Sequence, residues 1–434
     1  MTYSPNPTEK GIIRTYLVTT ALYTLATSMI WGINTLFLMD AGLDIFQVML
    51  VNAAFTAGMV LFEIPTGVIA DTLGRKTSFL MCIAILFVST LIYVGAAYLS
   101  LSIWTFFAAS VLLGLGFTFF TGAVEAWLVD SLDHVGYKGS REVVFARGQM
   151  VFSASMLVGT VGGGFLGQIH LSLPYIVRAA VLIPTFFIVL LTMHDLGFTP
   201  RTLELSNFGR ETRRLFRDSI KYGWDQPLIK LCMLVSFVNG LFFIFGWYSW
   251  QRYFLDLLNR ELIWVAGIVS ALFSLSGIVG NSLVGRVSRS LGERSSASVL
   301  ARIVSVQAAV IVCAGFLGIV FRGPARGLIL FSAAVALYLV FGMLFGLYSP
   351  IRQALINRYI PSEQRATILS MDSFFMNMSG VFGQTGLGYM SKVVSIPAAW
   401  VVGGAVMLLG YPLYNRVKVI DEAAPDHINS IEEM

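Results

Sequence analysis

The chain has 434 residues, of which 56% are apolar and only 12% charged, and its net charge is +5. Soluble domains carry about a quarter charged residues, so this composition excludes an ordinary water-soluble globule and points to a chain solvated by lipid. The positive balance then belongs to loops that set orientation and gives no argument for a nucleic-acid partner.

Residues Met1 to Lys10 are polar with two prolines, and the apolar run that follows is too long for a cleavable signal, so the N-terminus is expected to stay on the side of synthesis. Apolar runs then recur at 14 to 39, 44 to 70, 77 to 98, 102 to 131, 147 to 169 and 174 to 193. After a polar stretch they return at 227 to 255, 261 to 284, 296 to 320, 326 to 350, 365 to 390 and 396 to 415. Runs of about 20 apolar residues can each cross roughly 30 Å of hydrocarbon. Such segments satisfy their own backbone hydrogen bonds only as helices, and barrel-type alternation is absent. The expectation is an all-α membrane protein with twelve transmembrane helices.

Between the second and third runs lies Gly67-Val-Ile-Ala-Asp71-Thr-Leu-Gly74-Arg75-Lys76, a turn carrying one acid, two bases and two glycines. A degenerate copy returns at Gly285-Arg-Val-Ser-Arg289-Ser-Leu-Gly292-Glu293-Arg294. The spacing that carries Gly67, Leu73 and Gly74 onto Gly285, Leu291 and Gly292 also carries Arg147 onto Arg365, which open spans five and eleven. The chain therefore reads as two six-helix bundles, residues 1–193 and 227–434, joined by a basic linker at 194–226. That linker, with Arg201, Arg210, Arg213, Arg214, Arg217 and Lys221, is either a surface helix on anionic headgroups or a solvated loop.

Placing the loops alternately assigns one face all of the 29 Lys and Arg residues except Arg178, Arg252, Arg260, Arg322, Arg326 and Lys392. The positive-inside rule then makes both termini, the linker and the 67 to 76 turn cytoplasmic, in a cell membrane. Cys82, Cys232 and Cys313 fall inside separate apolar runs and read as small buried hydrophobes. The four histidines are scattered, no phosphate-binding loop exists, and no metal or cofactor spacing appears, so an enzyme or nucleotide-driven pump is not expected.

The pattern G-x-x-x-D-x-x-G-R-K resembles the cytoplasmic loop between helices two and three of the major facilitator superfamily of transporters. The resemblance, with the repeat, covers nearly the whole chain. It implies two parallel six-helix repeats and a charge network at the cytoplasmic helix ends that latches one state. The residues implied in that gate are Gly67, Asp71, Gly74, Arg75, Lys76, Asp130, Arg147 and Arg365, with Arg75 and Lys76 meeting Asp130 and Asp71 meeting the start of span eleven near Arg365. Thr72 stands where the family often has a base, and Arg289 where the second copy would have the acid. The run Gly159-Thr-Val-Gly162-Gly163-Gly164-Phe-Leu-Gly167 resembles the glycine-rich helix five of drug:proton antiporters without its proline, and Ser110 stands where those carry an arginine.

Three carboxyls lie within spans, Glu63, Glu125 and Asp372. A carboxyl in apolar surroundings is costly when charged, which suits it to loading and releasing a proton; structural pairing with a nearby arginine is the other reading. If spans one, four, seven and ten line the cavity, as the resemblance implies, its wall includes Thr27, Trp31, Asn34, Asn239, Phe243, Trp247, Tyr338, Phe341 and Phe345. Apolar walls with a few polar groups suit a small amphiphile better than a sugar, although each stripe is also compatible with plain helix packing. The expected activity is proton-coupled efflux of small amphiphilic or hydrophobic compounds by a monomer in the bilayer through alternating access. Uptake or facilitated passage of a metabolite or lipid-like molecule, and a non-transporting receptor on the same fold, stay open at this level.

Overall fold

The computed structural model describes residues 7–120, 123–198, 224–258, 262–291, 296–320, 327–360 and 365–423. Every regular element among them is a helix. In chain order these are α1 Pro7–Ser28, α2 Asn34–Asp40, α3 Ile45–Leu73, α4 Arg75–Tyr98, α5 Ile103–Phe120, α6 Ala123–His134, α7 Arg141–Ile169 and α8 Leu173–Thr192. They continue as α9 Pro227–Leu258, α10 Ile263–Leu291, α11 Ser296–Val320, α12 Gly327–Arg358, α13 Arg365–Val393, α14 Ile396–Met407 and α15 Gly410–Ala423.

Among the described residues, 10 stretches are long and apolar enough to cross a membrane by length and composition. Two of the twelve expected spans fall outside that set. The first is interrupted between α1 and α2, and α13 is diluted by Asp372, Asn377, Gln384 and Lys392. Helix starts follow local chemistry. Asp44 accepts from the Gln47 backbone N–H at 3.0 Å while Gln47 Oε1 accepts from the Asp44 N–H at 2.9 Å, a capping box that fixes the start of α3. Ser140 and Ser395 cap α7 and α14 in the simpler way.

The chain divides into two compact units, Met1–Thr212 with Leu262–Ala271, and Arg213–Glu261 with Leu272–Met434. In lipid no hydrophobic force drives helix against helix, so association relies on close packing over small residues. In the first unit α7 meets α1 at Gly163, where an added Cβ would sit 1.8 Å from the Met29 carbonyl oxygen. There too α5 meets α3 at Gly114, 2.6 Å from the Phe55 oxygen by the same measure. In the second unit α13 meets α9 at Gly383, 1.9 Å from the Leu241 oxygen, and α10 meets α12 at Gly280, 1.8 Å from the Met343 oxygen. Each unit thus meshes its own first span with its fifth, and its second span with its fourth, on glycine. Cys82 and Cys232 are buried as expected of small hydrophobes, whereas Cys313 is exposed on its helix.

Candidate functional site

The 67 to 76 stretch is tighter than a loop. α3 stays helical to Leu73 and α4 starts at Arg75, leaving Gly74 alone as the break. Gly74 has φ +98°, and a Cβ there would lie 2.2 Å from Asp195 Oδ2, so both backbone and space demand glycine. Asp195 Oδ1 accepts from the Lys76 backbone N–H at 2.9 Å, capping α4 from 119 residues away. The Lys76 ammonium donates to the Leu190 carbonyl at 2.7 Å, and Arg75 pairs with Asp71 at 2.8 Å. Among the described residues the Arg75 and Lys76 side chains make these contacts and no ion pair with Asp130, the partner expected of them. Burial raises the Asp195 carboxyl above the usual aspartate range, with the Lys76 N–H pulling the other way.

Asp195 belongs to the beginning of the expected linker. Residues 194–198 fold back on the first unit, where Trp127 Nε1 donates to the His194 carbonyl at 2.7 Å. Gly67 faces open space, and Arg147 is exposed with no ion pair among the described residues. The Arg365 side chain, residues 292–295 of the second copy and residues 199–223 of the linker lie outside the described residues.

The three span carboxyls separate clearly. Glu125 is exposed on the first turn of α6, and Glu63 is half-buried with no ion pair among the described residues. Asp372 on α13 is enclosed. Its oxygens accept from Arg352 of α12, Oδ2 from Nη1 at 2.7 Å and Oδ1 from Nη2 at 2.6 Å, and Oδ1 also accepts from the Ser236 hydroxyl of α9 at 2.7 Å. Arg352 further donates to the Cys232 carbonyl at 3.1 Å. A fork-to-fork pair of this kind is a strong charge-assisted contact, and it joins three helices of the second unit. Its partner is Arg352.

Ser236 and Arg352 of the triad line a cavity of about 60 Å³ within the second unit, whose wall also includes Asn239, Phe243, Phe341 and Phe345. Phe243 and Phe345 stack at 4.6 Å, and Asn239 Nδ2 donates to Tyr348, whose hydroxyl lies 2.7 Å from that of Tyr414. Asn239 Oδ1 and Arg352 Nε are buried without a partner. The volume admits a few waters but falls short of the roughly 300 Å³ of a small-ligand pocket. What the arrangement offers chemically is a small, mostly apolar cavity that reaches an arginine bound to a carboxylate.

Of the expected cavity residues, Asn239, Phe243, Phe341 and Phe345 come together here, with Trp247 tilted against Phe243 at 6.1 Å. Tyr338 does not line the cavity, although its ring lies parallel to Phe341 at 6.5 Å. It is buried in an aromatic core, stacked on Phe273 at 4.5 Å and on Trp250 at 5.8 Å. In the first unit Thr27 is buried with its hydroxyl bound to the Tyr23 carbonyl at 2.9 Å. Asn34 is held between Asn52 at 2.9 Å and Tyr175 at 2.8 Å, so both serve packing, while Trp31 is half-buried. Arg352 escaped the sequence reading because the apolar run stops at Pro350. The signal that would have found it is the helical spacing of Ile351, Leu355 and Ile356, all buried, which carries α12 on to Arg358.

The family model described as the Major Facilitator Superfamily matches residues 16–331. The chain is 20% identical over 418 residues, 93% of its length and 95% of the relative's, to the uncharacterised MFS-type transporter YxaM of Bacillus subtilis (strain 168). It is 23% identical over 263 residues, 57% of its length and 58% of the relative's, to the class E tetracycline resistance protein of Escherichia coli. Among solved structures it is similar to the nucleoside transporter NupG, with TM-score 0.73 and 11% identity over 94% of this chain and 98% of that one.

Proposed function

We propose that this chain, which belongs to the Major Facilitator Superfamily, exports small amphiphilic compounds from the cell in exchange for protons. That it is a multi-pass membrane transporter and not an enzyme follows from the family and from its apolar helices. Outward direction, the proton as coupling ion, a monomeric state and placement in the cell membrane with both termini cytoplasmic are our reading. The relative named for tetracycline resistance supports export, since a membrane transporter would confer resistance by moving the compound out of the cell.

The observation that carries the proposal is the Arg352–Asp372–Ser236 triad, two of whose members, Ser236 and Arg352, line a small and mostly apolar cavity. As a carboxylate, Asp372 holds Arg352 and ties α9, α12 and α13 together. A proton delivered through the cavity neutralises the charge Arg352 is bound to, so the guanidinium loses its counter-ion and the tie loosens. That is a two-state element of the kind alternating access needs. On this reading Asp372, ahead of Glu125 and Glu63, carries the proton. Phe243, Phe341 and Phe345, with Trp247 beside Phe243, supply the apolar, aromatic surface for an amphiphile in a state of the cycle where the cavity is wider than its present volume of about 60 Å³. Asp71, Arg75, Lys76 and Asp195 form the cytoplasmic latch of the first unit.

The test is flux in proteoliposomes of the purified protein with tetracycline or a cationic amphiphilic dye as the probe. An imposed pH difference should drive accumulation against the probe's own gradient. Flux that follows the probe gradient alone, indifferent to the pH step, would make the protein a facilitator and remove the coupling role from Asp372.

A further inference from the structure

The first unit also holds a buried arginine, and its situation is the opposite of Arg352. Arg178 on α8 is 1% exposed. Its electrostatic neighbours are Tyr175 on the same helix, Tyr23 on α1, and Cys82 and Tyr93 on α4, with no carboxylate among them. Two of its nitrogens, Nε and Nη2, are buried and have no hydrogen-bond partner. These two N–H groups lie side by side on one edge of the planar guanidinium and point the same way, which is the fork that receives a carboxylate, a planar oxyanion or a single halide.

The tyrosines around it do not fill that fork. The Tyr175 hydroxyl donates to Asn34 Oδ1 at 2.8 Å and the Tyr93 hydroxyl pairs with Ser110, so both are turned to other work, while their rings stack at 6.1 Å. The remaining neighbour, Tyr23, has a buried hydroxyl whose polar neighbour is the Cys82 thiol, a weak hydrogen-bonding partner that does not fill the fork. A guanidinium does not lose its proton in proteins, and an uncompensated buried charge costs several kcal/mol. Water would satisfy the N–H groups but would leave the charge unbalanced.

We propose that Arg178 and the Tyr23 hydroxyl hold a small monovalent anion, halide or small planar oxyanion, inside the first unit. It is a structural counter-ion enclosed by α1, α4 and α8. Its existence does not depend on what the protein transports or on proton coupling, and its test is a stability measurement.

The full-length protein in detergent is melted at constant ionic strength while gluconate, too large to enter, is replaced by chloride, bromide or nitrate. The melting temperature should rise and saturate with the fitting anion, as binding to the folded state alone requires. A response to chloride and bromide but not nitrate identifies a halide site, and the reverse identifies a planar oxyanion. Arg178→Met should melt at one temperature in every anion, while Arg252→Gln, which removes an exposed pair with Asp256, should keep the native response. Should Arg178→Met fail to fold, Tyr23→Phe serves instead and should raise the half-saturating anion concentration about fivefold, the worth of one hydrogen bond. An anion-independent native melting curve, or an undiminished response in Arg178→Met or Tyr23→Phe, overturns the proposal.

Discussion

Arg352 grips both oxygens of Asp372, at 2.7 and 2.6 Å, and each side chain is only 13% exposed. Removing either charge alone strands the other. Arg352→Met should destabilise the protein by about 3 kcal/mol, because an unpaired buried carboxylate is left behind. The double variant Arg352→Met with Asp372→Leu should recover most of that loss. Thermal unfolding of the two single variants and the double variant checks this, and simple additivity of the two losses would deny the pairing a role.

The aromatic wall of the cavity gives a functional counterpart. Phe345 stacks on Phe243 at 4.6 Å, so Phe345→Ala removes ring area that an amphiphile would use. About tenfold weaker probe binding is expected, corresponding to a lost aromatic contact of about 1.4 kcal/mol, with stability less affected than in Arg352→Met. Titration of tryptophan fluorescence with the probe would show it, and an unchanged affinity would move the substrate away from this wall.

The sequence revealed the helices because lipid solvation leaves few alternatives to long apolar runs, and it suggested the twofold repeat through the turn around Gly74, where φ +98° favours glycine, and its copy at 285 to 294. It did not reveal who meets whom in the charge network. Asp195 sits in a polar segment indistinguishable by composition from a linker, yet it caps α4 at Lys76. Arg352 lies past a proline that halts the apolar run but not the helix. Arg178 counted as one of a few bases on the outer face, although it is buried in the first unit. Thr27 and Asn34 showed the right polarity and spacing for a cavity, but periodicity cannot tell which side of a polar stripe faces a hole and which faces a neighbouring helix.

Neighbouring glycines on α7 should behave differently. A Cβ on Gly163 would collide with the Met29 carbonyl at 1.8 Å, whereas one on Gly162 meets nothing within 4 Å. Gly163→Ala should therefore cost about 1–3 kcal/mol by forcing α1 and α7 apart, while Gly162→Ala should be neutral or slightly stabilising through its helix propensity. Melting temperatures of the two variants give the comparison, and equal effects would mean that α1 and α7 are not in contact there.

The Asp195 cap is separable into charge and hydrogen bond. Asp195→Ala should destabilise by about 1 kcal/mol, as for other lost helix caps, while Asp195→Asn keeps the acceptor for Lys76 and should cost less. Burial raises the Asp195 carboxyl above its ordinary value of 3.8, so the folded state holds this proton more tightly than the unfolded one. Its contribution to stability is present in full below the ordinary value and is lost as pH rises through the raised one. Asp195→Asn should flatten that part of the stability curve, and an unaltered slope there would remove Asp195 as its source.

Proton coupling through Asp372 is tested most directly by measuring two fluxes on the same vesicles carrying Asp372→Asn, which keeps the shape of the side chain but cannot change charge. Exchange of labelled for unlabelled probe should persist, and accumulation driven by a pH step should vanish. Accumulation equal to that of the unaltered protein would show that the proton travels elsewhere.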